Sequence, residues 1–194
     1  MRGPVLLPIY SAPEPNVLVE VRVQSLGLDR SSNTPVVILE ELEGDRVLPI
    51  WIGPSEASAI AMQLADMEFS RPLTHDLIVA VLNGLGGTLR KVIITRVEKN
   101  TYYAELIIHR DGEVISVDAR PSDSIAVALR MDARIFAQEE LLERASIEIA
   151  EDETTGSPSP AQRKDAPSSD RMDAEELKEY LRRLNPEDFG RFTP

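Results

Sequence analysis

The stretch DARPSDSIAVALR, which runs from Asp118 to Arg130, joins a strand-like segment to an Ala-rich apolar segment and decides how the second half of the chain folds. Pro121 can occupy the first turn of a helix, where its missing N–H costs nothing. Asp123 then lies in the same turn, with its charge near the positive end of the helix. The apolar residues that follow recur four positions apart, which predicts a helix that packs on a core. Helix capping explains Pro121 and Asp123, but it does not explain Arg120.

Alternating apolar and polar residues predict six strands, in two runs of three, before this helix. The pairs Lys99-Asn100 and Asp111-Gly112 are turn signals between strands of the second run. Pro49 lies within the third strand and predicts an edge position or a bulge there, because proline cannot donate to a sheet. The predicted strands cover residues 16–26, 34–42, 46–52, 88–98, 101–110 and 113–119.

Two predicted helices, residues 53–68 and 73–87, separate the two runs of strands, and the second ends at glycines suited to a left-handed C-cap. A short extended piece and a last helix share residues 133–145. Runs of strands and helices segregated along the chain are typical of an α+β fold with largely antiparallel pairing. We therefore predict a single compact α+β domain over residues 17–145.

The segment PSEASAIAM (Pro54 to Met62) echoes PSDSIAVAL (Pro121 to Leu129). Each segment follows a run of three strands and begins with proline, serine and an acidic residue. An ancient duplication could produce this echo, and so could the shared chemistry of helix starts.

The segments on either side of the predicted domain differ from it in composition. Residues 1–16 hold a short apolar patch broken by proline, and we expect a flexible arm rather than a signal peptide. Residues 146–170 are rich in Pro, Ser and charge, which predicts a disordered linker. The leucine spacing and capping residues of segment 171–194 predict an amphipathic helix with a short tail. A single helix cannot bury its own leucine stripe, so we expect it to dock on the core, on a second subunit or on another partner.

Composition limits the classes of function. The chain of 194 residues has no cysteine, which excludes disulfides and thiolate metal sites. No apolar segment reaches the length of a membrane span, so we expect a cytoplasmic protein. The formal net charge is −12. This charge opposes binding to a phosphate backbone unless basic groups cluster or a divalent cation intervenes.

Two arginines, Arg71 and Arg120, each precede a proline at a predicted helix entrance. A guanidinium group there lies beside exposed helix N–H groups, and both favour an anion such as a phosphate or a carboxylate. The structural alternative is an internal salt bridge, for example of Arg120 with Asp76 or Glu56.

The pair His75-Asp76 stands at the start of the second predicted helix. Such a histidine can also be a cap or a hydrogen-bonded structural residue. The chain has two histidines, too few for a His-rich metal site. An oxygen-rich Mg²⁺ or Mn²⁺ site needs only one or two carboxylates plus water. Asp76, Asp123 and Glu56 could supply these carboxylates, and Asp118 is a further candidate.

Four segments, in this order and spacing, resemble the bifunctional nuclease domain family: LPIWIGPSEASAIAMQL, RPLTHDL, TYYAELII and DARPSDSIAVALR. The resemblance covers residues 17–145, and the C-terminal EELKEYLRRLNPEDF is similar to the tail of many bacterial members. It implies an α+β domain that self-associates, as a dimer or a trimer, and that cleaves both DNA and RNA. The positions that match the family's motifs are Glu56, Arg71, His75, Asp76, Arg120, Ser122 and Asp123.

The chemistry of these positions suggests a hypothesis for catalysis by His75, Asp76, Arg120 and Asp123. Asp76 and Asp123, together with Glu56, would hold Mg²⁺ or Mn²⁺, which neutralises phosphate charge and activates water. His75 would act as a general acid or base near neutral pH. Arg120 would stabilise the charge that develops on the phosphate.

Arg71 and Ser122 would join Arg120 in binding the substrate. A different class of function uses the same residues without catalysis. In that alternative the domain is an oligomeric binding or regulatory module, and the arginines and acids form a structural network. A sensor of small anions at the two Arg-Pro entrances is a third possibility.

Overall fold

The computed structural model describes residues 17–29 and 32–146. The predicted arm over residues 1–16, the linker beyond residue 146 and the segment 171–194 lie outside the described residues. A last helix, α4, begins at residue 139 and is described to residue 146. The other elements are β1 (Leu18–Asp29), β2 (Thr34–Glu41), β3 (Val47–Trp51), α1 (Pro54–Leu64), α2 (Thr74–Gly84), β4 (Thr88–Glu98), β5 (Thr101–Arg110), β6 (Glu113–Ala119), α3 (Pro121–Arg130) and β7 (Arg134–Gln138).

The strands form one mixed sheet in the order β3-β2-β1-β7-β4-β5-β6. The predicted α+β fold and its two antiparallel runs of three strands are confirmed. The piece read from the sequence as merely extended is β7, and it lies at the centre of the sheet. It pairs antiparallel with β1 and parallel with β4, so it joins the two runs. Among the strands of the described residues, only β4 and β7 pair in parallel, because α3 carries the chain back from the edge strand β6.

Local turn chemistry agrees with the sequence. Lys99 and Asn100 both have positive φ, of 48° and 61°, as do Asp111 and Gly112, with 50° and 81°. Two consecutive residues in this region form the turn that matches the twist of a two-residue hairpin. Pro49 lies on β3, and β3 is an edge strand of the sheet, as predicted.

Helix α3 is the centre of the helical layer. It packs against α1, α2 and strands β4, β5 and β7. Ile125 and Ala128 have no exposed surface, and burying a side chain the size of isoleucine contributes about 1.5–3 kcal/mol. The apolar spacing in the opening stretch therefore fixes α3 on the sheet. As a result, the start of α3 is held beside the end of β6, where Ala119 pairs with Ala104 of β5. Among the described residues, no helix is long and apolar enough to cross a membrane.

Candidate functional site

The starts of α1 and α3 meet at Arg120, the residue that capping does not explain. Glu56 is the third residue of α1, and Asp123 is the third residue of α3. Arg120 Nη1 lies 2.8 Å from Glu56 Oε1, and Arg120 Nε donates to Asp123 Oδ2 at 2.8 Å. Arg120 Nη2 also donates to Asp123 Oδ1 at 3.2 Å. The two segments that echo each other in sequence thus each supply one carboxylate to the same guanidinium group.

Glu56 takes part in this cluster while folded back over its own helix start. The hydrogen bond from its own backbone N–H is the largest effect on the pKa of Glu56, and with Arg120 it lowers this pKa below its ordinary value, although burial opposes the change. A Cβ atom at Gly53 would clash with the Glu56 carboxylate. Glycine before Pro54 therefore leaves room for this arrangement.

His75 extends the cluster across to α2. Its Nε2 lies 3.1 Å from Asp123 Oδ1. Burial tends to raise the pKa of Asp123, but the hydrogen bonds from Arg120 and His75 lower it below its ordinary value. Asp123 is therefore ionised near neutral pH and can only accept hydrogen bonds. The proton of a neutral His75 must then be on Nε2, which leaves the lone pair of Nδ1 available.

Asp76, the next residue, is committed elsewhere. Its Oδ1 accepts a hydrogen bond from Arg130 Nε at 2.6 Å, and its Oδ2 accepts one from the backbone N–H of Leu73 at 2.8 Å. Burial tends to raise the pKa of Asp76, yet the bonds from Arg130 and Leu73 lower it overall. Asp76 is a helix cap and an ion-pair partner in this arrangement.

A cleft of about 1270 Å³ opens beside the cluster, between the starts of the three helices and strands β5 and β6. Glu56, His75, Arg120 and Asp123 line it, and Asp118 lies at the end of β6 in its wall. The remaining wall is mainly apolar, with Met62, Ile78, Leu106 and Val117 among its residues. Four of the predicted site residues therefore share one cleft that solvent can reach.

The structure places two predicted substrate-binding residues apart from this cleft. Arg71 is exposed. Its neighbours Pro72 and Leu73 are among the residues that line the cleft, but Arg71 itself is not. Ser122 has a relative exposure of 6% and is also absent from the lining. Of the two Arg-Pro pairs, Arg120-Pro121 has its arginine in the cleft lining, and Arg71-Pro72 has its proline there.

Sequence reasoning did not single out Arg130, although it ends the opening stretch. Its side chain is 6% exposed. Residues 123 and 130 are seven apart and so share one face of α3. Asp123 contacts His75 and Arg130 contacts Asp76, so two neighbouring residues of α2 meet two turns of α3. This shared face was the available signal, but the partner on α2 was not visible in the sequence.

Only part of the ligand set predicted for a divalent cation is suitably placed in the described structure. Within the described residues, no three acidic or histidine side chains are grouped as metal ligands. Asp76 does not fit, because it is not among the residues that line the cleft and its two oxygens already accept hydrogen bonds from Leu73 and Arg130. Glu56 and Asp123 do fit, since both line the cleft, and a carboxylate that accepts hydrogen bonds from Arg120 still has lone-pair sites for a cation. Two carboxylates with water are sufficient for Mg²⁺.

Comparison with known proteins gives one family and two groups of relatives. The sequence model of the Bifunctional nuclease domain matches residues 37–150. An uncharacterized protein of Mycobacterium tuberculosis is 43% identical over 170 residues, which cover 88% of this chain and 97% of that protein. Bifunctional nuclease 1 of Arabidopsis thaliana is 24% identical over 66% of this chain, and Bifunctional nuclease 1 of Oryza sativa subsp. japonica is 28% identical over 53%. These matches span 40% and 32% of the two plant proteins.

Proposed function

This chain belongs to the bifunctional nuclease domain family, and from that premise we propose that it hydrolyses phosphodiester bonds of DNA and RNA in the cleft beside Arg120. The observation that supports this proposal most is the convergence of three helix starts on one cleft. There an exposed arginine, a carboxylate and a histidine form a continuous hydrogen-bonded chain. Such a chain offers both an anion-binding group and a group that can move a proton.

Arg120 binds the scissile phosphate in this proposal. Its side chain is 65% exposed. A guanidinium group has five N–H donors, and three of those of Arg120 are directed at Glu56 and Asp123. The remaining two can bind phosphate oxygens, and the fixed fork of the group suits such an anion. Because Asp123 and Glu56 hold the guanidinium in place, little reorganisation is needed when negative charge develops in the transition state.

His75 serves as the general base. Its Nδ1 accepts a proton from a water molecule while the water oxygen attacks phosphorus, and Asp123 stabilises the imidazolium that forms. The bond from phosphorus to the leaving oxygen then breaks, and the imidazolium returns its proton to that oxygen. The carboxylate on Nε2 orients the ring throughout, as a carboxylate does for the histidine of other hydrolytic sites.

The charge of the cluster alone does not allow an acidic protein to hold a polyanion. Arg120 supplies one local positive charge, but Glu56 and Asp123 together supply two negative charges. We therefore keep a divalent cation in the proposal, held by Glu56 and Asp123 with water. When bound, it would neutralise phosphate charge and lower the pKa of a bound water molecule.

We expect EDTA to abolish cleavage of single- and double-stranded DNA and RNA, and excess Mg²⁺ or Mn²⁺ to restore it. The measurement is a gel-based assay of labelled oligonucleotides with the purified protein. Asp123→Asn is expected to prevent restoration, because it removes one of the two proposed ligands. Full cleavage in EDTA would contradict the metal-assisted form and leave the roles of Arg120 and His75 standing.

We further propose that the domain forms a homo-oligomer through α2 and the edge strand β6. Among the described residues, the one buried residue of α2 is His75. Leu77, Val81 and Leu85 recur four residues apart and are 56%, 51% and 59% exposed. The six residues Glu113–Asp118 of β6 are also exposed, and within the described chain β6 pairs with β5 alone. A second copy could cover both surfaces.

Val81→Glu is expected to shift the protein from oligomer to monomer, because it buries a charge in the proposed contact. Light scattering coupled to size-exclusion chromatography would measure the mass. Leu42→Glu, at a similarly exposed apolar residue in the β2–β3 turn, is the matched control and should leave the mass unchanged. Monomeric wild-type protein, or a Val81→Glu oligomer of unchanged mass, would refute this contact.

A second function remains supported by one observation. Glu56, Asp76 and Asp123 are each paired with an arginine, as a purely structural network would require. In that case the domain is a non-enzymatic binding or regulatory module. The Arg120 and His75 variants described in the Discussion distinguish the two, since a structural network has no cleavage activity to lose.

A further inference from the structure

We propose that Arg130 is a positioning residue, which holds His75 against Asp123 by fixing the first turn of α2. This inference rests on the proposed nuclease function for its kinetic consequence, but its structural part can be measured without any substrate. Arg130 does not appear among the residues predicted to act on the phosphate. It lies at the end of α3, at the far side of the cleft wall from Arg120.

The contacts of Arg130 join three helices. Its Nε donates to Asp76 Oδ1 on α2 at 2.6 Å, and its Nη1 donates to the carbonyl oxygen of Ala126 on α3 at 3.0 Å. Its Nη2 donates to the carbonyl oxygen of Ala59 on α1 at 3.3 Å. A basic residue in the last turn of a helix usually extends into solvent, where it favours the helix dipole. The side chain of Arg130 is instead 6% exposed.

Asp76 passes this restraint to the backbone around His75. One carboxylate oxygen accepts from Arg130, and the other accepts from the N–H of Leu73, the residue before α2. His75 lies between these two points in the chain. Asp76 therefore closes the turn from Leu73 to Asp76, and Arg130 ties this turn to α3. Together they fix the position of the His75 backbone, from which the imidazole extends.

Helix α2 has few other polar restraints in the described structure, and Val79 and Leu82 pack its inner side against the core. It packs mainly on α3, and the leucines and valines on its outer side are exposed. Two polar ties connect it to α3: Asp76 with Arg130, and His75 with Asp123. Loss of the first tie leaves the hydrogen bond between His75 and Asp123, together with the apolar packing, to set the position of the first turn. A 3.1 Å hydrogen bond to a side chain is a weak restraint on that turn.

Arginine is required for this arrangement by geometry as well as charge. Its three nitrogens reach acceptors on three helices at once, whereas the ammonium group of lysine is a compact point charge on a flexible stem. Lysine keeps the positive charge near Asp76, so the half-buried carboxylate stays paired. Arg130→Lys therefore isolates the loss of position from the loss of charge.

The test compares Arg130→Lys with the wild type by two measurements. The first is the ¹⁵N chemical shift of the His75 imidazole, recorded at pH 7 in a His109→Gln background so that His75 is the sole histidine. The second is kcat and KM for cleavage. The charged groups around His75 are Asp123 and Arg120 at the start of α3, Asp76 and Arg130, and Glu56 on α1. All of these except Arg130 are unchanged in the variant.

We expect the Nε2 resonance of His75 to move toward that of an imidazole without a carboxylate partner. We also expect kcat to fall by about 10- to 100-fold, with KM changed by less than about threefold, because Arg120 still binds the phosphate. Arg134→Lys, on the adjacent strand β7 and 65% exposed, is the matched control and should change neither. Circular dichroism at the assay temperature confirms that each variant is folded.

The outcomes separate this inference from the proposed function. An unchanged His75 resonance in folded Arg130→Lys overturns the positioning role, whatever the activity. A moved resonance together with the kcat loss supports both. A moved resonance in a protein that never cleaves nucleic acid supports the positioning role and refutes the nuclease proposal. If Arg130→Lys does not fold, Asp76→Ala removes the same tie from α2, because alanine has no acceptor for Arg130, and it is interpreted in the same way.

Discussion

Arg120→Met is expected to lower kcat/KM for phosphodiester cleavage by about 10²–10³-fold, the usual cost of removing a group that stabilises transition-state charge. Methionine keeps an unbranched side chain as far as the position of Nε and loses all five donors. The global fold should survive, because the Arg120 side chain is 65% exposed and the ion pairs of exposed arginines contribute about 0–1 kcal/mol. The measurement is steady-state cleavage of a labelled oligonucleotide, with thermal unfolding followed in parallel.

Arg22→Met is the matched control for this prediction. Arg22 is 66% exposed and paired with Glu40, so it resembles Arg120 in exposure and pairing. It lies on β1, and the cleft lining does not include it. We expect its cleavage rate to equal that of the wild type. Equal rates for Arg120→Met and Arg22→Met would refute the phosphate-binding role of Arg120.

His75→Gln is expected to lower kcat by about 10²–10⁴-fold, which is the contribution of a well-placed general acid or base. The glutamine amide can still donate to Asp123, so the packing at the start of α2 is largely kept. It cannot accept a proton from water, so the chemical step is lost. We expect KM to change little, because Arg120 and the apolar wall of the cleft remain in place.

The second histidine of the chain provides the control. His109 is exposed at the end of β5, and His109→Gln should retain full activity. A His75→Gln protein that cleaves as fast as His109→Gln would remove the general base from the mechanism. That result, together with an inactive Arg120→Met protein, would favour water activation by the metal alone.

Most of the individual elements were predictable from the sequence, because their signals are local. Alternation marks the six strands of the two antiparallel runs, and the turn pairs at residues 99–100 and 111–112 adopt the positive φ that such turns need. Proline at the first position of α1 and α3 marks both helix starts. These features depend on residues within a few positions of one another, so local sequence patterns are enough to predict them.

The position of β7 was not predictable in this way. Its five residues, Arg134–Gln138, are too few to distinguish a central strand from an extended connection. What places it between β1 and β4 is the need of two separate antiparallel runs to close into one sheet. That requirement involves partners more than 40 residues away along the chain.

The candidate site likewise has features that local sequence predicts and features that depend on tertiary packing. By itself the sequence determined the opening stretch: a strand, an arginine, and a helix started by Pro121 and Asp123. Only the tertiary structure decided that Arg120 bonds Glu56 across 64 residues, that Asp123 bonds His75 across 48, and that Asp76 is paired with Arg130 instead. The physical reason is that helix starts are specified by local backbone chemistry, whereas ion-pair partners are chosen by how α1, α2 and α3 pack.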